Sequence, residues 1–255
     1  MNPTKIGLIA FAFAFGGVLL GRWLRTALPK HHLDDSSKDT VKVAIGLIAT
    51  MTALVLGLVT ASAKSSFDSI DSGVKETARQ LLVLDRILAR YGPESGEIRD
   101  GLKRAVGERI EMIWPTDSSR PVHLDPTAAG GVSRLESLAD AIRSLTPKGD
   151  LQRALQNRAI DLAEVLLQAR WLAVAGTEAS VPLPFLVVLL FWLAVTFTSF
   201  GMFAPRNGTV IAFLFVCAMS IGSALFLVLE LDGPFEGLLR VSPDPLRFAY
   251  THINR

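Results

Sequence analysis

VAIGLIATMTALVLGLVTASA, residues 43–63, is the stretch that decides how this chain folds. It holds no charged residue and lies between Lys42 and Lys64. A helix of about 20 apolar residues matches a hydrocarbon core ~30 Å thick, because each residue rises ~1.5 Å. The stretch therefore reads as a membrane span. Residues 183–203 and 209–229 read the same way, separated by Ala204-Pro205-Arg206-Asn207-Gly208. That Pro/Asn/Gly cluster is a tight turn, so the two spans are expected to form an antiparallel hairpin. The remaining apolar block, Ile6–Gly21, is the shortest and follows Lys5, as a signal peptide would. Arg22, Trp23 and Arg25 come directly after it where a cleavable leader would have small residues, so it reads as a retained span with an interfacial anchor.

Charge distribution supports this more strongly than composition. The 255 residues are 50% apolar with a mean hydropathy of +0.38 and a formal charge of +2. None of the 24 acidic residues falls within 6–21, 43–63, 179–205 or 207–229. Lys64–Glu178, by contrast, holds 16 basic and 17 acidic residues. A purely soluble enzyme is excluded, and the near-zero net charge gives no reason to expect nucleic acid. Cys217, the single cysteine, lies inside an apolar block and cannot form an intrachain disulfide.

Four crossings place the N-terminus, the 64–178 segment and the C-terminal tail on one side. Near the span ends that side offers Lys5, Lys64, Lys75, Arg170, Arg240, Arg247 and Arg255; the other offers Arg22, Arg25, Lys30, Lys38, Lys42 and Arg206. This balance does not decide orientation by the positive-inside rule; the polar segment is assigned to the cytosol and the chain to the inner membrane. The expected organisation is residues 1–63 as spans 1 and 2, 64–178 as a cytosolic helical domain, 179–231 as spans 3 and 4, and 232–255 as a tail docking on that domain.

The polar segment is helical by its periodicity. Phe67, Ile70, Val74, Thr77, Leu81, Leu84, Leu88 and Tyr91 recur in steps of three and four and so share one face. With only permissive glycines between Lys42 and Gly92-Pro93, span 2 is expected to continue into this segment as one helix, roughly 75 Å long. Ile98, Leu102, Val106, Ile110 and Ile113 predict a second helix, stopped at Trp114-Pro115. Residues 116–131 read as a loop. Leu135, Leu138, Ile142 and Leu145 predict a third helix, and Leu151, Leu155, Leu162, Val165, Leu166, Ala169 and Leu172 a fourth. No alternating strand pattern of useful length occurs. The fold class is an all-α membrane protein with four spans and a helical bundle inserted between spans 2 and 3.

Candidate chemistry is sparse. His31 and His32, beside Asp34 and Asp35, are adjacent loop residues and make a poor chelate whose spacing matches no structural zinc site. Gly92-Pro93-Glu94-Ser95-Gly96 lacks the Gly-Lys-Ser/Thr ending of a phosphate loop. No nucleophile comes with a base and an orienting group, so no catalytic residue, metal or cofactor is assigned. No ionisable residue lies within a span, which argues against an ion-coupled transporter. Glu230 and Asp232 are expected at the water-accessible end of span 4.

Gly46, Thr50, Ala53, Gly57, Thr60 and Lys64 follow steps of four and three along span 2 and share a narrow face. Ile45, Leu47, Ile48, Leu54, Leu56 and Leu58 are assigned to the opposite face, which suits lipid or neighbouring helices. Small residues let helix backbones approach, so simple packing explains the face. A pore wall, built from several copies around an axis, is the functional alternative, second to packing on the residues alone. Gly17 with Gly21, and Ala218 with Gly222, are small-residue pairs that read as packing. Beyond span 4, Pro234-Phe235 reads as an elbow, and Ser242 as a helix cap followed by Pro243.

Leu56-Gly57-Leu58-Val59-Thr60-Ala61-Ser62, followed by Ser65-Ser66-Phe67-Asp68 and a long helix, resembles a bacterial bestrophin-like family of membrane proteins. The closing Asp232-Gly233-Pro234-Phe235-x-Gly237, Val241-Ser242 and Pro245-Leu246 are similar to that family's C-terminal signature. The resemblance covers essentially the whole chain. More distantly it extends to bestrophins, which are pentameric, mostly anion-selective channels with the second helix lining the pore and a Pro-Phe-Gly motif after the last span. Here Glu236 displaces Gly237 from that motif, residues 43–63 contain no pore-narrowing aromatic, and the calcium-binding acidic run is absent. The resemblance implies a homo-oligomer, a pentamer, conducting small inorganic ions. A lysine ring at Lys64 would favour anions. The alternative is a non-conducting, membrane-anchored helical scaffold or signalling module that binds a cytosolic partner.

Overall fold

The computed structural model describes residues 2–29, 35–115, 129–175, 183–205, 207–235 and 237–255, with the side chains at 35–38, 129–135 and 170–175 left outside the description. Among the described residues the chain is α-helical without strands. The helices are α1 (Pro3–Ala27), α2 (Asp35–Tyr91), α3 (Gly96–Ile113), α4 (Ala129–Arg143), α5 (Asp150–Ala175), α6 (Leu183–Phe203), α7 (Gly208–Leu231) and α8 (Asp244–His252), with a short 3-10 turn at Pro93–Ser95. Four of them, α1, α2, α6 and α7, are long and apolar enough to cross a membrane. Helix α1 extends past the apolar block Ile6–Gly21 at both ends, and Asn2 caps its start: its Oδ1 accepts from the Thr4 and Lys5 N–H groups at 3.1 and 3.4 Å. The chain divides into two compact units, residues 1–66 with 179–233, and 67–178 with 234–255.

In the first unit α1 packs against α6 and α7. Lipid tails are as apolar as leucine, so close backbone approach rather than hydrophobic burial holds such helices together. The glycines show it. A β-carbon on Gly17 would sit 2.9 Å from the Ala194 carbonyl oxygen. On Gly21 and Gly201 it would run into the carbonyl oxygens of Thr198 and Val18. Gly7 and Gly222 make the matching contact between α1 and α7, each β-carbon falling 2.9–3.0 Å from the other residue's carbonyl oxygen. Ala218 is fully buried, so the small pairs on α1 and α7 are packing positions. Phe11, Phe15 and Phe215 close the α1–α7 contact with edge-on ring distances of 5.4 and 5.2 Å. Arg25 donates to the Ala204 carbonyl at the far end. Asn207 caps α7, accepting from Thr209 N–H at 3.2 Å.

The second unit has an apolar core drawn from all its helices. Leu84 and Leu88 of α2, Leu102 of α3, Ile142 of α4, Ala159 of α5, and Val241, Ala249 and Ile253 of the tail are fully buried or nearly so. Each large aliphatic side chain contributes about 1.5–3 kcal/mol by leaving water. The expected faces of α2 and α3 are the ones buried, whereas Leu151 and Val165 of α5 point outward. Ser95 and Gln156, set into this core, are bonded: Ser95 Oγ donates to the Leu88 carbonyl at 2.5 Å, and Gln156 Nε2 to the carbonyls of Ile142 and Leu145 at 3.0 and 2.8 Å, whereas the buried Tyr91 hydroxyl and Gln80 Oε1 have no partner among the described residues.

Candidate functional site

Within the first unit, α2 carries three rows along its length. Ile45, Thr52, Val59 and Ala63 are buried and recur in steps of seven and four, forming the row that meets the unit's own helices. Gly46, Thr50, Ala53, Gly57, Thr60 and Lys64 form the second row, and all six are exposed. At 100° per residue the second row lies about 115° around the helix from the first. The third row, Leu47, Leu54 and Leu58, lies about 100° further on, with these side chains 64–75% exposed. The sequence pattern grouped Ile45 with Leu47, Leu54 and Leu58; the structure separates them, Ile45 facing inward and the leucines outward.

The small row is not filled by the chain itself. A β-carbon on Gly46 or Gly57 would meet nothing within 4 Å. Thr50 and Thr60 donate their hydroxyl protons back to the carbonyls of Gly46 and Leu56, at 2.6 and 2.7 Å. The donor of each hydroxyl is thereby satisfied in its own helix, and both lone pairs of the oxygen stay available as acceptors. The row thus presents a smooth, mildly polar surface ending at Lys64.

The tail residues occupy a different place. Asp232 ends α7, its N–H donating to the Leu229 carbonyl at 3.2 Å. Pro234 begins a loop closed by Val241 N–H donating to its carbonyl at 2.8 Å. Gly237 within that loop has φ +81°, a left-handed conformation that suits glycine. The Phe235 ring meets Trp114 edge-on at 5.6 Å, and the Trp114 indole N–H donates to the Val241 carbonyl at 3.0 Å. Ser242 Oγ accepts from Asp244 N–H at 3.1 Å, though α8 starts one residue later than expected, leaving Pro243 at the cap and Pro245 in the first turn. These contacts bind the tail to α3 and are structural.

Sequence reasoning missed the group to which α8 leads. Asp85 of α2 is fully buried and takes Arg99 Nε and Nη2 at 2.8 and 3.2 Å. Asn254 donates its N–H to the same carboxylate at 3.2 Å and its amide to Asp100 at 2.6 Å, from a left-handed backbone with φ +64°. The available signal was Asp85 itself, one turn after Leu81 and next to Leu84 on the apolar side of the helix.

Elsewhere the structure offers little chemistry. Glu230 is buried, not open to water as expected from its place at the end of α7. Its position on the inward side of the last turn, beside buried Val228 and Leu229, is the reason. His31, His32 and Asp34, and the side chain of Asp35, lie outside the described residues, as do Arg206 and Glu236. Among the described residues no three His, Cys, Asp or Glu side chains converge on a metal-sized site. A cleft of about 650 Å³ between α3 and α4 is lined by Glu97, Asp100, Arg104 and Glu108 with Leu138 of α4. On the surface of the second unit, the bond from Lys148 at 2.7 Å holds the Glu94 carboxyl below its ordinary range and raises Lys148.

The Bestrophin-like domain family matches this chain over residues 12–246. No curated protein matches it. Among solved structures, a point-mutant bacterial bestrophin homologue from Klebsiella pneumoniae is similar, with a TM-score of 0.57, 14% sequence identity, and coverage of 99% of this chain and 97% of that one. At that identity the likeness concerns the fold. It extends over both units, including the four apolar helices and the tail. By the family match, which takes in nine-tenths of its length, this membrane protein belongs to the Bestrophin-like domain family.

Proposed function

We propose that the protein is a passive small-ion channel, and not an enzyme, built from several copies around an axis lined by Gly46, Thr50, Ala53, Gly57 and Thr60 of α2, with Lys64 at the mouth. The observation carrying this reading is the unfilled small-residue row, since β-carbons at Gly46 and Gly57 would enter open space. Acyl chains gain little from such a row, because it lacks side-chain atoms to contact them; the bulky leucine row beside it suits lipid or a neighbouring copy. Water and ions suit a narrow face of glycine, alanine and hydroxyl groups. Family membership supports a channel, and bestrophin resemblance supports a pentamer. In this reading the second unit stands in the cytosol, the chain in the inner membrane, and the ring of Lys64 side chains favours anions.

The test is single-channel recording in planar bilayers. The wild type should conduct, Gly57→Trp should abolish the current, and Lys64→Glu should shift the reversal potential in a salt gradient towards cation preference. A wild type silent above the empty-bilayer control, or currents indifferent to Gly57→Trp, overturns the pore. The scaffold reading predicts a monomer or dimer in mild detergent, so the mass of the solubilised particle separates the two.

A further inference from the structure

We infer that Gly237–Arg240 is a lipid-interface anchor, with Leu238 and Leu239 entering the boundary between headgroups and acyl chains and Arg240 meeting lipid phosphate. Two adjacent exposed leucines are an unfavourable choice for a loop in water. Leu238 is 79% exposed and Leu239 39% exposed, although the same loop buries Val241 almost completely. The difference comes from the loop's construction. Val241 N–H closes onto the Pro234 carbonyl at 2.8 Å, and the left-handed Gly237 turns the chain so that the two leucines stand outside that closure. The closure therefore leaves these two apolar side chains exposed.

Its tether to a membrane span selects lipid as the occupant. The span α7 ends at Leu231, three residues before Pro234. Three residues reach at most about 10 Å, so Pro234, where the loop opens and closes, lies within that distance of the end of the span. The polar interface of a bilayer is about 5–8 Å deep on each side, the bilayer being about 40–45 Å across with a ~30 Å hydrocarbon core, so the loop begins at about that level. A leucine pair followed by an exposed arginine matches an anionic interface, with apolar groups seated at the acyl boundary and the guanidinium at phosphate level. A second copy of the chain is the rival occupant, and the test distinguishes it. The inference rests on the membrane crossings but not on conduction, so a silent channel would leave it standing.

The experiment places a nitroxide at 238 or 239 by Leu238→Cys or Leu239→Cys in a Cys217→Ala background. The full-length protein is reconstituted in phosphatidylethanolamine–phosphatidylglycerol vesicles. Collision rates with oxygen, which partitions into lipid, are compared with those of a water-soluble nickel chelate. Leu151→Cys, at an equally exposed position on α5, is the aqueous control. The oxygen-to-nickel ratio should be several-fold higher at 238 and 239 than at 151. Arg240→Glu should lower the ratio at 238 in these anionic vesicles while leaving it unchanged in phosphatidylcholine vesicles. Ratios at both loop positions equal to that at 151 overturn the inference. So do labels immobilised and shielded from both relaxers, which would mean a protein neighbour. Two label positions keep the test decisive if one variant fails to fold.

Discussion

Helices α1 and α2 both carry glycines within their apolar lengths, yet three of the four on α1 are tightly covered, only Gly16 being open, while Gly46 and Gly57 of α2 are both open. On α1, Gly7, Gly17 and Gly21 lie against the backbones of α6 and α7 so closely that no β-carbon fits. On α2, Gly46 and Gly57 border empty space, while the neighbouring Ile45 and Val59 fill the contact with the rest of the unit. Helix α7 adds a third case. Its small residues Ala218 and Gly222 are packed, and it turns Phe213, Val216 and Met219 outward, as a helix facing lipid should. A small-residue repeat is therefore one pattern with two uses, close packing inside a subunit or a face kept clear for something outside it.

The comparison can be broken first at α1. Gly21→Leu puts a branched side chain where the Thr198 carbonyl stands, and overpacking of this kind costs about 3 kcal/mol or more. Loss of monodisperse protein in detergent is the expected outcome, and a normal melting temperature would mean that α1 and α6 do not meet as described. Gly201→Leu should behave alike, since it meets Val18 from the other helix.

Next in size is the contrast within α2 itself, whose second half is set into a core. Asp85→Ala leaves the half-buried Arg99 guanidinium without its carboxylate and frees Asn254, at a cost of about 3–5 kcal/mol. Thermal unfolding of the solubilised protein measures it, and Asp85→Leu combined with Arg99→Met should recover much of the loss. If Asp85→Ala melts with the wild type, the buried group does not hold the tail.

Gly57→Ala is the counterpart to Gly21→Leu. Stability should stay level or rise by at most about 1 kcal/mol, since alanine is the better helix former and its β-carbon enters open space. A loss comparable to that of the α1 variants would show that another part of the same chain covers the row.

The smallest effect concerns pH. The bond from Lys148 lowers the Glu94 pKa in the folded chain, so the stability it contributes is present above the unfolded carboxylate value and is lost as pH falls through the folded one. Melting temperature should therefore decline slightly between about pH 5 and pH 3 in the wild type. Lys148→Met should flatten that part of the decline. Added salt should do the same, because the pair is exposed and screened.

Much of the fold could be read in advance because its signals are local. Residues 43–63, 183–203 and 209–229 contain no charge, and hydrocarbon thickness converts that directly into spanning helices. The step of three and four from Leu81 to Tyr91, and again from Ile98 to Ile113, identifies the core faces of α2 and α3, because helical periodicity alone brings those residues together. The candidate row from Gly46 to Lys64 was legible for the same reason. What it faces was not. Nor was the partner of Asp85, because Arg99 lies fourteen residues away and Asn254 at the other end of the chain. Glu230 reads as a solvated helix end by position, but its turn faces inward.

By itself, then, the sequence determined which segments are helical, which of them can cross a bilayer, and which residues share a helix face, since these follow from apolar length and a 3.6-residue period. Only the tertiary structure decided which glycines are covered. Glycines in an apolar helix become a packing seam or an open face according to which helix arrives against them, and a local period carries no information about that arrival.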